Sequence, residues 1–166
     1  MKRLFGLVML FMFAAIMSHA TETLTDTGTA KAKIIEAATF SHVSGALDFG
    51  TIIPGTSAGT VTLGAVASPS ALDSAEIGGR VTADPVSSDH FTLGHLDTAT
   101  TYTISVPATV TISNGATGSM VVDLNPSATS VTGVSSADLY VGGVLHVGAN
   151  QETGAYQNSY TVTVTY

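Results

Sequence analysis

Apolar and polar positions alternate with a period of two along much of this chain. The pattern is sharpest at Tyr156–Tyr166, where Tyr156, Tyr160, Val162 and Val164 share one parity and Gln157, Ser159, Thr161, Thr163 and Thr165 share the other. Successive side chains of an extended strand point to opposite faces, so the segment predicts a strand with Tyr160, Val162 and Val164 facing inward. Val, Thr and Tyr also favour pleated surfaces over helices. Similar short runs predict strands near Ala30–Ala38, Leu47–Ile53, Gly59–Leu63, Ile77–Ala83 and His90–Gly94. Further strands are expected at Thr101–Val106, Val110–Ser113, Ser119–Leu124 and Leu139–Val147. Ser127–Ala137 reads as a weak edge strand, and Val66–Ser74 as a loop with room for one short helix.

Turn residues punctuate these runs. Pro54-Gly55, Asp84-Pro85, Asn114-Gly115 and Asn125-Pro126 fall between strands, where fixed or left-handed backbone is needed. Asn114-Gly115 is the best tight-turn signal, lengthened by Ala116–Gly118. Short strands at this spacing predict an all-β fold, a two-layer antiparallel β-sandwich of seven to ten strands. Phe49, Ile52, Ile104, Val106, Val121, Leu145, Val162 and Val164 are its expected core. No repeat of solenoid period occurs.

Composition adds an address. Lys2 and Arg3 precede an apolar run, Leu4–Met17, and small residues close it at Ser18-His19-Ala20, the layout of a cleaved secretory signal. The domain organisation read from this is a signal peptide at 1–20, a mobile arm at 21–29 and a β-sandwich at 30–166. The expected location is periplasmic, outer-surface or extracellular, with no stable membrane span after cleavage. Losing Lys2 and Arg3 takes the formal charge from −7 to −9, which disfavours nucleic acid as a partner. The chain has no cysteine, so the fold must hold without disulfides even in an oxidising compartment.

Candidate chemistry is sparse. Gly55–Gly59 matches the G-x-S-x-G pattern around Ser57, but a strand rather than a helix is expected after it, which removes the nucleophile's required context. Asp89-His90 and His95-Leu96-Asp97 gather two imidazoles and two carboxylates, yet positions 90 and 95 differ in parity on a strand. His42 and His146 stand alone, and the acids are scattered singly as solubility charge. No catalytic, cofactor-binding or metal-binding residue is assigned, and no cofactor or enzyme activity is expected.

Several phrases in order carry a resemblance: Leu47–Gly55 (LDFGTIIPG) with Gly59–Leu63 (GTVTL), His90–Leu93 (HFTL), and Thr101–Pro107 (TYTISVP) with Val110–Ile112 (VTI). Met120–Asp123 (MVVD), Val141–Gln151 (VGGVLHVGANQ), Gly154–Tyr156 (GAY) and Tyr160–Tyr166 (YTVTVTY) complete it. Together they resemble the bacterial family called domain of unknown function 4402, over nearly all of the chain after the signal. The closing strand is also similar to spore coat protein U domains, the group that contains archaic chaperone–usher pilins. The resemblance implies an immunoglobulin-like sandwich exported to the envelope, with no catalytic residues. In pilins of that second group a strand from one subunit completes the sheet of the next. This chain departs from them in lacking a disulfide and in having Leu24 as the one large apolar residue of Thr21–Thr29.

Two functions are therefore expected. The first is a non-catalytic, pilin-like structural subunit whose partners are copies of itself or related subunits, joined by strand addition. The second is a monomeric, adhesin-like binding module for a glycan or protein; such a module wants exposed aromatics in loops, whereas Tyr102 and Tyr140, the tyrosines outside the last strand, read as strand-bound. Ala30, Ala32 and Ile34 alternate with Lys31 and Lys33, so Ala30–Ala38 suits either a donor strand or the domain's own first strand. The second assignment is slightly favoured.

Overall fold

A computed structural model describes residues 22–166, and the expected signal peptide lies outside the described residues. Residues 22–38 form no helix or strand, and 22–37 are exposed. The strand expected at Ala30–Ala38 is therefore corrected. Alternation supplies a face, but a strand also needs a neighbour for its amides and carbonyls, and ladder pairing begins only at Thr39.

Twelve strands and no helix occupy the described residues, more than the seven to ten expected because several are very short. They are β1 (Thr39–Ser44), β2 (Ile52–Ile53), β3 (Gly59–Leu63), β4 (Ala71–Asp73), β5 (Gly79–Arg80) and β6 (Asp89–Gly94). β7 (Tyr102–Ser105), β8 (Thr109–Ser113), β9 (Ser119–Pro126), β10 (Ser130–Val131), β11 (Ala137–Val147) and β12 (Thr163–Thr165) follow. Every pairing is antiparallel. One seven-stranded sheet runs β1-β6-β11-β3-β4, with β9 also on β11 and β8 on β9; β10-β7-β12 forms a second sheet, and β2-β5 a two-stranded ribbon.

The long β11 organises the large sheet. It pairs with β6 through Ala137–Val141, with β3 through Gly143–Val147, and with β9 through Val141–His146. The partner changes from β6 to β3 at Gly142. A Cβ there would meet the Leu63 carbonyl oxygen at 2.5 Å and the Ala65 nitrogen at 2.6 Å, so only glycine admits so close a backbone. At the other boundary β9 ends on Pro126, Ser127 donates its amide to Tyr140, and the chain crosses to the second sheet, where Thr129 accepts from Ile104. Proline suits that exit because it cannot continue a ladder.

The core lies between the layers. Leu93 and Leu139 of the large sheet pack with Tyr102 and Ile104 of the small one, all at most 4% exposed. A neighbouring cluster joins Val61, Leu63, Val122, Leu124, Val141, Leu145 and Val147 to Phe49 and Ile77. This is the antiparallel sandwich read from the sequence. Tyr160, Val162 and Val164 sit half-buried against these clusters while Thr161, Thr163 and Thr165 are exposed, as their parity requires. One core residue is corrected: Val121 is 40% exposed and Val122 only 2%. Val121 pairs across the sheet with His146 and Thr111, on the outer side, whereas Met120, Val122 and Leu124 turn inward.

The Asn114-Gly115 turn joins β8 to β9 as a longer hairpin connection. Gly115 takes a φ of +75°, and Asn114 Oδ1 accepts from the amides of Ala116 and Gly118. Val66–Ser74, expected as a loop, contains β4, and Ser130–Val131 of the expected weak strand pairs at the edge of the small sheet.

Candidate functional groove

The final segment does not run as a single paired strand. Gln157 exchanges backbone hydrogen bonds with Ser113 at 3.1 and 3.3 Å, and ladder pairing to β7 resumes only at Thr163. Asp48 exchanges the same pair of bonds with Ser87, at 2.9 and 3.0 Å. Backbone groups of an extended chain alternate in direction. The amides and carbonyls of Leu47 and Phe49 therefore point away from Ser87, and those of Tyr156 and Asn158 away from Ser113. Both segments border one groove of about 1030 Å³.

Apolar side chains of the core form its floor: Phe49, Ile112, Met120, Val122, Leu145 and Val147. Asp48, Asp84 and Glu152 contribute carboxylates to its lining. Gly50 turns beside it at φ +70°, its amide donating to Asp48 Oδ1, and Thr51 Oγ1 donates to Asp84. Along β11 the groove extends from the level of Val141, which pairs with Asp89, to Val147. Six steps along a strand span about 20 Å. A smaller depression of about 410 Å³ lies between β3 and the start of β9.

Three side chains meet at the Asp89 end. Asp89 is 7% exposed. Its Oδ1 accepts from His42 Nε2 at 2.5 Å and its Oδ2 accepts from the Tyr160 hydroxyl at 2.7 Å. Both carboxylate oxygens are satisfied, which a buried anion requires. Burial pushes the Tyr160 phenol well above its ordinary range, and the hydrogen bond to Asp89 and its negative charge push the same way. The cluster ties β1, β6 and the final segment together. Phe91 stacks on Phe40 with ring centroids 5.4 Å apart and also packs against His42.

The residues singled out in the sequence are distributed rather than gathered. Asp89 and His90 are neighbours on β6 but face opposite ways: His90 bonds Asp138 Oδ1 at 2.9 Å and stacks on Tyr140. A left-handed turn at His95, φ 55°, carries its ring to within 3.7 Å of Glu36, and Asp97 accepts from Thr100. His146 bonds Asp123 at 2.8 Å. Ser57 lies exposed in a bend that leads into β3. Tyr102 is buried, and its hydroxyl accepts from the Asp97 amide at 2.9 Å. No group of three or more His, Cys, Asp or Glu side chains suited to a metal occurs among the described residues. Nor is any described helix long and apolar enough to cross a membrane.

Sequence reasoning missed the groove. Its walls, Leu47–Thr51 and Gly154–Tyr160, lie a hundred residues apart in the chain. The one available signal was the pair of strands predicted there, each of which finds a neighbour on one side alone.

The family model described as Domain of unknown function (DUF4402) matches residues 39–166, and the chain belongs to that family. No curated protein and no solved structure matches it.

Proposed function

We propose that the protein is an exported, non-catalytic structural subunit of the cell envelope or surface that assembles by β-strand addition. The observation that carries this reading is the groove bordered by Leu47–Phe49 and Tyr156–Asn158. Its floor is apolar, with Ile112 and Met120 half-buried, and on both sides it presents backbone groups that an inserted strand can pair with. Exposed strand edges over an apolar floor are hazardous unless something covers them, and assembly supplies the cover. The secretory layout of residues 1–20 supports an assembly outside the cytoplasm.

Electron microscopy and size analysis of cell-surface material test the reading. Fibres or ladders of this chain are the expected result. A sharp monomer retaining a co-purified small ligand overturns it. That outcome favours the second reading, a monomeric surface module for a glycan or protein, whose support is that Tyr156 and Tyr160 line the same concave site.

A further inference from the structure

β1 stands apart from the other strands in how little covers it. Its side chains from Thr39 to Val43 are all exposed, whereas β3, β6, β8, β9 and β11 each bury or half-bury at least two. The exposed ones include Phe40 and His42, which pair with Leu93 and Phe91 and so belong to the inward face. β1 also ends the order of the large sheet and pairs with β6 alone. Alternate amides and carbonyls of Thr39–His42 therefore point away from the sheet, and among the described residues no backbone group bonds them.

The other edges are covered or short. The final segment covers β8, through the Ser113–Gln157 pair and the Asn158 side-chain amide on the Thr111 carbonyl. β4 has three residues and carries Asp73, while β10 and β12 have two and three. Edges are ordinarily blunted by brevity, charge or proline. β1 is six residues long and contains no Lys, Arg, Asp, Glu or Pro; a bulge at Val43 is its one interruption. From Thr39 to Tyr166 the chain carries nine side-chain carboxylates against one strong cation, Arg80, so two copies repel over much of their surfaces. The edge of β1 itself brings no carboxylate to such a meeting.

We infer that β1 pairs antiparallel with β1 of a second copy across a two-fold axis at Ser41, joining two seven-stranded sheets into one. The occupant is a copy because the edge complements itself, with the same uncharged backbone ladder on both sides. Residues that face each other must share a sheet face, which leaves few positions for the axis. One at Phe40 needs Ala38, which precedes the strand and packs on the Leu93 cluster; one at His42 needs the bulged Val43. At Ser41 each Phe40 lies opposite the other copy's His42. Phe91 already packs on both rings, with centroids 5.4 and 4.9 Å away, so a row of rings continues across the axis. The contact uses a strand edge and goes beyond the groove-based reading.

The chain has no cysteine, so one placed at the axis reports the pairing directly. Opposed Cα atoms of antiparallel strands lie about 4.5–5.5 Å apart, inside the span of about 4.4–6.8 Å that a disulfide bridges. Mild oxidation of Thr21–Tyr166 carrying Ser41→Cys should give a linked dimer and nothing larger on non-reducing electrophoresis. Thr111→Cys, exposed on β8, should stay mostly unlinked. Ser41→Lys, which opposes two ammonium groups, should weaken dimerisation about fivefold at low salt in sedimentation. Equal linking of the two cysteine variants overturns the pairing, and so does a Ser41→Lys chain that sediments like the native one. A native monomer in which every amide of Thr39–His42 resists exchange has its edge covered by its own chain, which also overturns it. Fibres in which Ser41→Cys does not link refute this contact and leave strand addition standing; linked dimers without fibres support the contact and count against strand addition.

Discussion

Removing the Asp89 carboxylate separates the contributions of its two partners. The His42 side chain is 50% exposed and regains water when Asp89 is lost, so that arm contributes little. Tyr160 is half-buried, and its hydroxyl loses a 2.7 Å hydrogen bond to a carboxylate that is itself buried. A buried group left without its partner costs about 1–3 kcal/mol. Asp89→Ala should therefore destabilise by about 2–3 kcal/mol, including the small void left behind. Tyr160→Phe should cost about 1–2 kcal/mol, because Asp89 keeps His42. Urea unfolding of the native chain, both single variants and the double variant closes a cycle, with a coupling of about 1 kcal/mol expected. The parallel cycle with His42→Ala should give a smaller coupling. Additivity of Asp89 and Tyr160 to within about 0.3 kcal/mol, or a larger coupling for His42, would refute the argument that burial makes the tyrosine arm dominant.

Three further outcomes follow from the same physics. The Tyr160 pKa is raised above its ordinary 10.0, so the unfolded chain releases that proton first; stability should fall as pH rises past about 10, and Tyr160→Phe should flatten that slope in urea titrations. Gly142→Ala forces a Cβ onto the backbone of Leu63–Ala65 and should cost about 1–3 kcal/mol by thermal unfolding, whereas Gly28→Ala, with nothing within 4 Å, should change stability negligibly. Leu145→Ala, at 2% exposure, should cost about 2–5 kcal/mol, and Val121→Ala, at 40%, within about 0.5 kcal/mol, as measured by denaturant midpoints.

Side-chain parity made the class of fold legible from sequence, because burial of one strand face leaves a direct mark on composition. Tyr160, Val162 and Val164 behave as that argument requires. What parity does not encode is whether a neighbour is present. Ala30–Ala38 alternates as well as Leu139–Val147, yet only the latter finds partners on the sheet. Val121-Val122 shows the complementary difficulty: two adjacent β-branched residues leave the register undecided, and pairing to His146 settles it. β4 was hidden because three residues at a sheet edge need little apolar content. The Asp89–His42–Tyr160 cluster was half visible. Asp89 stood out beside His90, but its true partners lie 47 and 71 residues away, and only folding brings them to it.

The dependence of the large sheet on β11 also sets an order of events. β3 and β6 precede β11 by some fifty to eighty residues, and neither pairs with the other. Until Ala137–Val147 arrives, β3 has only the three-residue β4 beside it, and β6 only β1. Forming these ladders closes long loops before any packing is gained, a topology that folds slowly. The chain should thus pass through a late, cooperative closure in which one strand docks against three partners at once. Before that moment its apolar edges are open to anything that binds extended chain, which makes residues 137–147 the timing element of the whole domain.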